Sequence, residues 1–140
     1  MAVYTEVSEE ELDAFIAGYD IGAVLSLKGI AEGVENSNYL LHAERGFYIL
    51  TLYEKRVNEA ELPFFLDLLE HLAGRGVTCP QPVKNRQGRA LGRLAGRPAA
   101  IVTFLDGMWI RKPDARQCAA VGEALAKLHR AGADFPMRRE

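Results

Sequence analysis

A short loop of glycines and polar residues is the first candidate for chemistry in this chain. It contains Gly29 and Gly33 and ends in Asn36, Ser37 and Asn38. Glycines adopt backbone angles that are closed to other residues, and without side chains they let main-chain N–H groups approach an anion. The loop could therefore bind the phosphates of a nucleotide. The alternative is an ordinary turn that the asparagines and the serine stabilise.

Predicted strands on both sides of this loop hold it in place. Runs of aliphatic, β-branched and aromatic residues bounded by turn residues are typical of strands. Such runs are Val24–Gly29, Asn38–His42, Phe47–Tyr53, Val83–Asn85, Ala90–Leu94 and Pro98–Leu105. The glycine loop connects the first two runs, so we expect it at the tip of a β-hairpin.

Three predicted helices complete the elements. Ser8 and Glu11 have the spacing of a capping box, and apolar residues at helical spacing follow them. A second helix is expected over Leu62–Ala73, where a Gly-Arg-Gly sequence provides the stop. The third helix is expected over Asp114–Ala131, with Asp114 as its N-cap.

Length, charge and cysteine content limit the classes of function. The chain has 140 residues, 49% of them hydrophobic, and a formal net charge of -2. We therefore expect one globular unit, and without a basic stripe we expect no nucleic-acid partner. No apolar run could span a bilayer and the N-terminus lacks a signal-peptide pattern, so we expect a cytoplasmic location and no membrane partner. Cys79 and Cys118 lack metal-site spacing and are expected to be reduced packing residues.

Three motifs later in the chain make the pattern recognisable. They are a Cys-Pro-Gln-Pro linker at 79–82, the sequence Phe-Leu-Asp-Gly at 104–107, and Leu-Ala-Lys-Leu-His at 125–129. With the order of elements, they resemble the N-terminal lobe of the protein-kinase-like fold in the aminoglycoside-phosphotransferase and choline-kinase group. The resemblance implies an α+β fold with a five-stranded antiparallel sheet and a packed helix over residues 1–105. Residues 106–140 would be the hinge and the first helix of the second lobe.

The catalytic groups of that family lie in the second lobe, beyond the helix that ends near His129. The resemblance therefore implies no catalytic residue in this chain, and it implies that the remainder of the second lobe is absent from it. ATP would be bound here, whereas the ligands of Mg²⁺ would come from the missing lobe. The apolar positions of the last helix would pack against that lobe, so we expect this helix face to be exposed.

Finer stretches of sequence resemble the bacterial homoserine kinases of this group. These stretches are Glu35–Leu40, Tyr48–Glu54 and Glu61–Phe65. This resemblance implies ATP-dependent phosphorylation of a small-molecule alcohol, with homoserine converted to O-phosphohomoserine in threonine biosynthesis. Choline, methylthioribose and aminoglycosides are alternative acceptors. A kinase-like module that binds a nucleotide or a partner without chemistry is the other alternative.

The same resemblance implies a set of nucleotide-binding residues. The glycine loop would contact the ATP phosphates, apolar side chains including Leu27, Tyr39 and Ile49 would cover the adenine, and the hinge backbone would pair with the adenine edge. The implied ATP-binding residues are Leu27, Gly29, Gly33, Asn36, Ser37, Asn38, Ile49, Thr51, Lys55, Glu61, Thr103, Phe104 and Leu105.

One residue departs from the family pattern. The family places a lysine or arginine in the third strand to hold the phosphates, and Thr51 occupies the aligned position. A hydroxyl supplies a hydrogen bond and no charge. Basic residues that could take over the role are Lys28, Lys55 and Arg56. Glu61 is the nearest candidate for the glutamate that pairs with the missing base, although counting back from Pro80 leads to Phe65, and Glu61 could equally be a first-turn acid.

Overall fold

A five-stranded antiparallel sheet forms the centre of the fold. The computed structural model describes residues 5–30 and 35–139. The helices are α1 (Glu9–Ile16), α2 (Leu62–Gly74, after a 3-10 turn at Glu59–Glu61) and α3 (Ala115–Gly132). The strands are β1 (Val24–Gly29), β2 (Asn36–Ala43), β3 (Gly46–Tyr53), β4 (Leu91–Leu94) and β5 (Arg97–Thr103).

The strand order β1-β2-β3-β5-β4 confirms the predicted fold class. One predicted strand, Val83–Asn85, is not part of the sheet. Pro82 forms only an isolated bridge to Val102, and the N–H of Val83 donates to the carbonyl of Ile101 at 2.8 Å. Proline has no N–H to donate, so a regular ladder cannot extend along this segment. The prediction for the last strand was too long, because β5 ends at Thr103.

Side chains alternate between two faces of the sheet, and one face forms the core. In β2, the odd-numbered residues Ser37, Tyr39, Leu41 and Ala43 are buried, whereas the even-numbered residues are only half-buried. We call the buried side the core face, because it packs against α1. The members of this core are Leu12, Ile16, Tyr19, Ile21, Tyr39, Leu41, Ala43, Leu50, Leu52, Leu94, Ala99 and Ile101.

The other side of the sheet is called the outer face. Antiparallel partners lie on the same face, so the register that pairs Asn36 with Tyr53, Asn38 with Thr51 and Leu40 with Ile49 defines it. In β5, Val102 is the partner of Ile49 and belongs to the same face. These outer-face residues are half-buried, in contrast to the fully covered core face.

The predicted capping box at Ser8 is present, and the predicted N-cap Asp114 also belongs to a capping box. Ser8 Oγ accepts a hydrogen bond from the N–H of Glu11 at 3.2 Å, and the N–H of Ser8 donates to the Glu11 carboxylate. Asp114 Oδ1 accepts from the N–H of Gln117 at 2.8 Å and begins α3. These contacts satisfy N–H groups that have no partner within their own helix.

Helix α3 exposes its apolar residues, as the sequence predicts. None of its residues is buried, and the exposed fractions of Val121 and Leu125 are 67% and 50%. Within residues 5–30 and 35–139, no helix is long and apolar enough to cross a membrane.

Gly22 makes the turn into β1, and we predict that Gly22→Ala destabilises the protein. Its φ of +83° lies in the left-handed region, and an added Cβ would come within 2.6 Å of the Glu44 Cβ atom. The backbone strain alone costs about 1–2 kcal/mol. Urea denaturation should therefore show a free energy of unfolding lowered by at least about 1 kcal/mol.

Gly74→Ala is the matched control, because nothing lies within 4 Å of an added Cβ at this helix-terminal position. It should leave the free energy of unfolding unchanged or slightly raised. Equal losses in the two variants would contradict this interpretation of the Gly22 turn.

Candidate functional site

The predicted phosphate loop joins β1 to β2 at one end of the sheet. Gly29 ends β1 and Asn36 begins β2, and the N–H of Ile30 donates to the carbonyl of Asn38 at 2.9 Å. Gly33 lies outside the described residues. The structure therefore describes the two ends of the loop, which β1 and β2 hold next to each other.

Thr51 and Asn38 form a hydrogen-bonded pair across β2 and β3. The hydroxyl of Thr51 donates to Asn38 Oδ1 at 2.9 Å, and both side chains lie on the outer face. The acceptor role of Oδ1 orients the amide, so its NH₂ group is turned away from Thr51. A neutral hydrogen-bonded pair thus occupies the position at which the family resemblance implies a basic side chain.

Asn36 lies one step further toward the loop on the same face. Its register partner is Tyr53, and among residues 5–30 and 35–139 its buried Oδ1 atom has no hydrogen-bond partner. Burial also raises the pKa of Tyr53 above its usual value, so this phenol stays protonated. A buried amide oxygen without a hydrogen bond costs about 1–3 kcal/mol, so a ligand donor at this position would be favourable.

Ser37 points to the opposite side of the sheet from its two asparagine neighbours. It is fully buried, and its hydroxyl donates to Glu54 Oε1 at 2.6 Å. The same carboxylate oxygen accepts from the Thr5 hydroxyl at 2.7 Å, and Glu54 Oε2 lies 3.4 Å from Arg97 Nε. Ser37 is therefore an anchor on the core face, and it cannot contact a ligand on the same face as Asn36.

The predicted cover for adenine divides between the two faces. Leu27 and Tyr39 pack in or against the core, whereas Ile49 lies on the outer face. These three side chains cannot cover one ligand together. On the outer face, the neighbours of Ile49 are Leu40 and Val102, which the sequence analysis did not select.

The charged candidates are spread around the site. Lys28, Lys55 and Arg56 are exposed. The Glu61 carboxylate, just before α2, lies 3.2 Å from Arg139 Nη2, and the Arg139 guanidinium stacks over Phe65 at 5.1 Å. Glu61 thus pairs with the C-terminal segment, in which Asp134 also contacts His71 of α2 and Arg75 just after it.

The predicted hinge begins where β5 ends. The N–H of Thr103 donates to the Gln81 carbonyl at 2.9 Å, and the Thr103 hydroxyl accepts from the N–H of Gln81 at 2.9 Å. The N–H of Thr103 is therefore engaged, and Phe104 and Leu105 are the first residues whose backbone leaves the sheet. Phe104 is 41% exposed, and its ring lies 6.3 Å from that of Phe47.

Magnesium would need ligands that this set of residues does not bring together. No group of three or more histidine, cysteine, aspartate or glutamate side chains in residues 5–30 and 35–139 could hold a metal ion. The polar groups on the outer face are amides and hydroxyls, which are weak ligands for Mg²⁺ compared with carboxylates.

Sequence reasoning missed Glu54, Arg97 and Leu40. The signal for Leu40 and for the position of Ser37 is the period of two along β2, which separates Ser37 and Tyr39 from Asn38 and Leu40. No local sequence pattern identifies Glu54 and Arg97. Glu54 contacts Ser37, which is 17 positions away in sequence, and Arg97, which is even further away.

Comparisons with known proteins show the family and the fold of the chain. The model of a family described as the phosphotransferase enzyme family matches residues 26–140. The chain is 70% identical over 139 residues to a protein named homoserine kinase from Beijerinckia indica and 68% identical to one from a Methylobacterium strain. A protein of the same name from Brucella ovis is 66% identical. Each match covers 99% of this chain and 43% of the relative, so the chain spans less than half the length of these relatives.

A solved structure has the same fold. It is a spectinomycin phosphotransferase in complex with ADP and spectinomycin, with a TM-score of 0.73 at 13% sequence identity. The match covers 97% of this chain and 43% of the solved chain.

Proposed function

Because the chain belongs to the phosphotransferase enzyme family, we propose that it forms the nucleotide-binding part of an ATP-dependent kinase acting on a small-molecule alcohol. Homoserine is the proposed acceptor, and O-phosphohomoserine is the product. The observation that carries this proposal is the identity of 66–70% to proteins named homoserine kinase. Residues 1–105 would form the nucleotide lobe, and residues 106–140 would form the hinge and the first helix of a second lobe.

The outer face is the proposed nucleotide surface. Leu40, Ile49 and Val102 form a half-buried apolar patch that ends near the hinge, which suits the flat apolar faces of adenine. The base edge would pair with backbone groups of Phe104 and Leu105. The solved relative with bound ADP shares this fold, which supports a nucleotide as the ligand.

The phosphates would lie toward the loop end of the same face. The NH₂ group of Asn38, oriented by Thr51, can donate to a phosphate oxygen. Asn36 lies beside it, and the backbone of the glycine loop would supply further N–H groups. An amide is a weaker phosphate ligand than a lysine, so most of the charge compensation would come from Mg²⁺ and the second lobe.

Catalysis would depend on groups outside this chain. In-line phosphoryl transfer needs Mg²⁺ and a residue that orients the acceptor hydroxyl, and we propose that the second lobe supplies both. Threonine biosynthesis as the pathway and the cytoplasm as the location belong to this proposal. The two cysteines are free thiols, which fits a reducing compartment.

Acceptor specificity tests this function most directly. We predict that the longest polypeptide encoded by the gene releases ADP and forms a phosphate ester with homoserine. Its kcat/KM for homoserine should exceed those for choline, methylthioribose and an aminoglycoside by at least about 100-fold, which corresponds to ~2.7 kcal/mol of transition-state discrimination.

A higher kcat/KM for any of the other acceptors would reject homoserine. Binding of Mg-ATP without transfer to any acceptor would support the non-catalytic module, which the neutral Thr51 favours. Calorimetry of Mg-ATP binding on the same preparation separates these two results.

Thr51→Val should weaken Mg-ATP binding. Valine has nearly the shape of threonine but leaves Asn38 Oδ1 without its donor, so the amide loses its fixed orientation. Calorimetry should show a dissociation constant raised by about 3- to 10-fold, the equivalent of one hydrogen bond of ~1 kcal/mol.

Thr51→Ser keeps the hydroxyl and is the matched control. Its dissociation constant should stay within about 2-fold of the unmodified protein. If the valine and serine variants bind Mg-ATP equally well, the Thr51–Asn38 hydrogen bond has no part in phosphate binding.

A further inference from the structure

We propose that Ser37, Glu54 and Arg97 form a positioning network on the core face that fixes the loop end of β2. The proposal rests on the proposed nucleotide-binding function and deepens it. None of the three residues would contact ATP, because their contacts lie on the core face. Their role would be to hold the first residues of β2, from which Asn36 and Asn38 project toward the nucleotide.

The network joins segments that are far apart in sequence. Glu54 Oε1 accepts hydrogen bonds from Ser37 on β2 and from Thr5 in the N-terminal segment, at 2.6 and 2.7 Å. Glu54 Oε2 pairs with Arg97 at the start of β5. The N–H of Thr5 also donates to Ser37 Oγ at 3.3 Å, and its carbonyl accepts from the hydroxyl of Tyr39.

Burial makes these contacts costly to lose. The Glu54 side chain is 11% exposed and that of Arg97 is 26% exposed, so water replaces little of a lost contact. Ser37 is fully buried. A carboxylate in this position requires its hydrogen bonds and its counter-charge, which leaves one favourable placement of Ser37.

Because side chains alternate along β2, the position of Ser37 on the core face also determines the positions of its neighbours on the outer face. Ser37 lies between Asn36 and Asn38, whose side chains point to the opposite side. If Ser37 leaves the Glu54 carboxylate, the backbone on both sides of it shifts. A displacement of the two amides would then weaken phosphate binding, even though no ligand contact was removed.

Steady-state kinetics of the longest polypeptide encoded by the gene tests this role. Ser37→Ala should raise the KM for Mg-ATP by about 3- to 10-fold while kcat stays within about 2-fold. The KM for the acceptor should not change. Glu54→Gln retains an oxygen that accepts from Ser37, so its KM for Mg-ATP should lie closer to the unmodified value than that of Glu54→Ala.

Ile101→Val is the matched control for a general loss of stability. Ile101 is fully buried on the core face and pairs with Leu50, outside the network. This variant should lower the melting temperature about as much as Ser37→Ala, with an unchanged KM for Mg-ATP.

The outcomes separate the network from the proposed function. If the unmodified protein binds Mg-ATP and Ser37→Ala has the same KM for Mg-ATP as Ile101→Val, the positioning role is overturned and the function stands. If the unmodified protein does not bind Mg-ATP by calorimetry, the proposed function fails, and the positioning role fails with it.

Discussion

The pairing register of β2 with β3 is the constraint on which the rest of the structure depends. It places Asn38 and Thr51 on the outer face, and Ser37 and Leu52 on the core face. A slip of one residue would exchange the faces along the whole strand. Asn36 and Asn38 would then enter the core. A buried amide without partners costs about 1–3 kcal/mol, so burying Asn38 in the core disfavours the slipped register.

Ser37, at the loop end of β2, is a polar residue that is fully buried on the core face. An apolar residue at position 37 would have a more favourable free energy of transfer from water into the core. It would, however, leave the Glu54 carboxylate with fewer hydrogen-bond partners. Glu54 satisfies its carboxylate with Ser37, Thr5 and Arg97, which lie on three other segments. This polar cluster therefore covers the end of the apolar core. It lies at the loop end of β2, where we propose that it holds the strand in place.

The sequence predicts the helices and strands better than the residues of the candidate site. Apolar periodicity and the capping residues Ser8 and Asp114 predict the helix bounds to within a turn, because these signals are local in sequence. The end of β5 is less predictable, since it depends on where Gln81 pairs with Thr103 across the sheet.

The prediction of the site residues is limited for the same reason, because the face on which a residue lies depends on contacts between strands. Period-two alternation assigns Asn38, Ile49 and Thr51 to one face once the register is known, but the register itself is a tertiary property. The family resemblance implies that Leu27 covers the adenine and that Ser37 contacts the phosphates. Sequence distance does not report which side of a sheet a residue occupies, and both side chains point to the core face.

Methyl NMR during a titration with Mg-ADP would test most directly whether the nucleotide binds on the outer face. The methyl groups of Leu40, Ile49 and Val102 should shift strongly, because the adenine ring current acts only over a few ångströms. Those of Leu41 and Leu50, on the core face, should shift little. The largest shifts on the core face, beside α1, would contradict a nucleotide site on the outer face of this sheet.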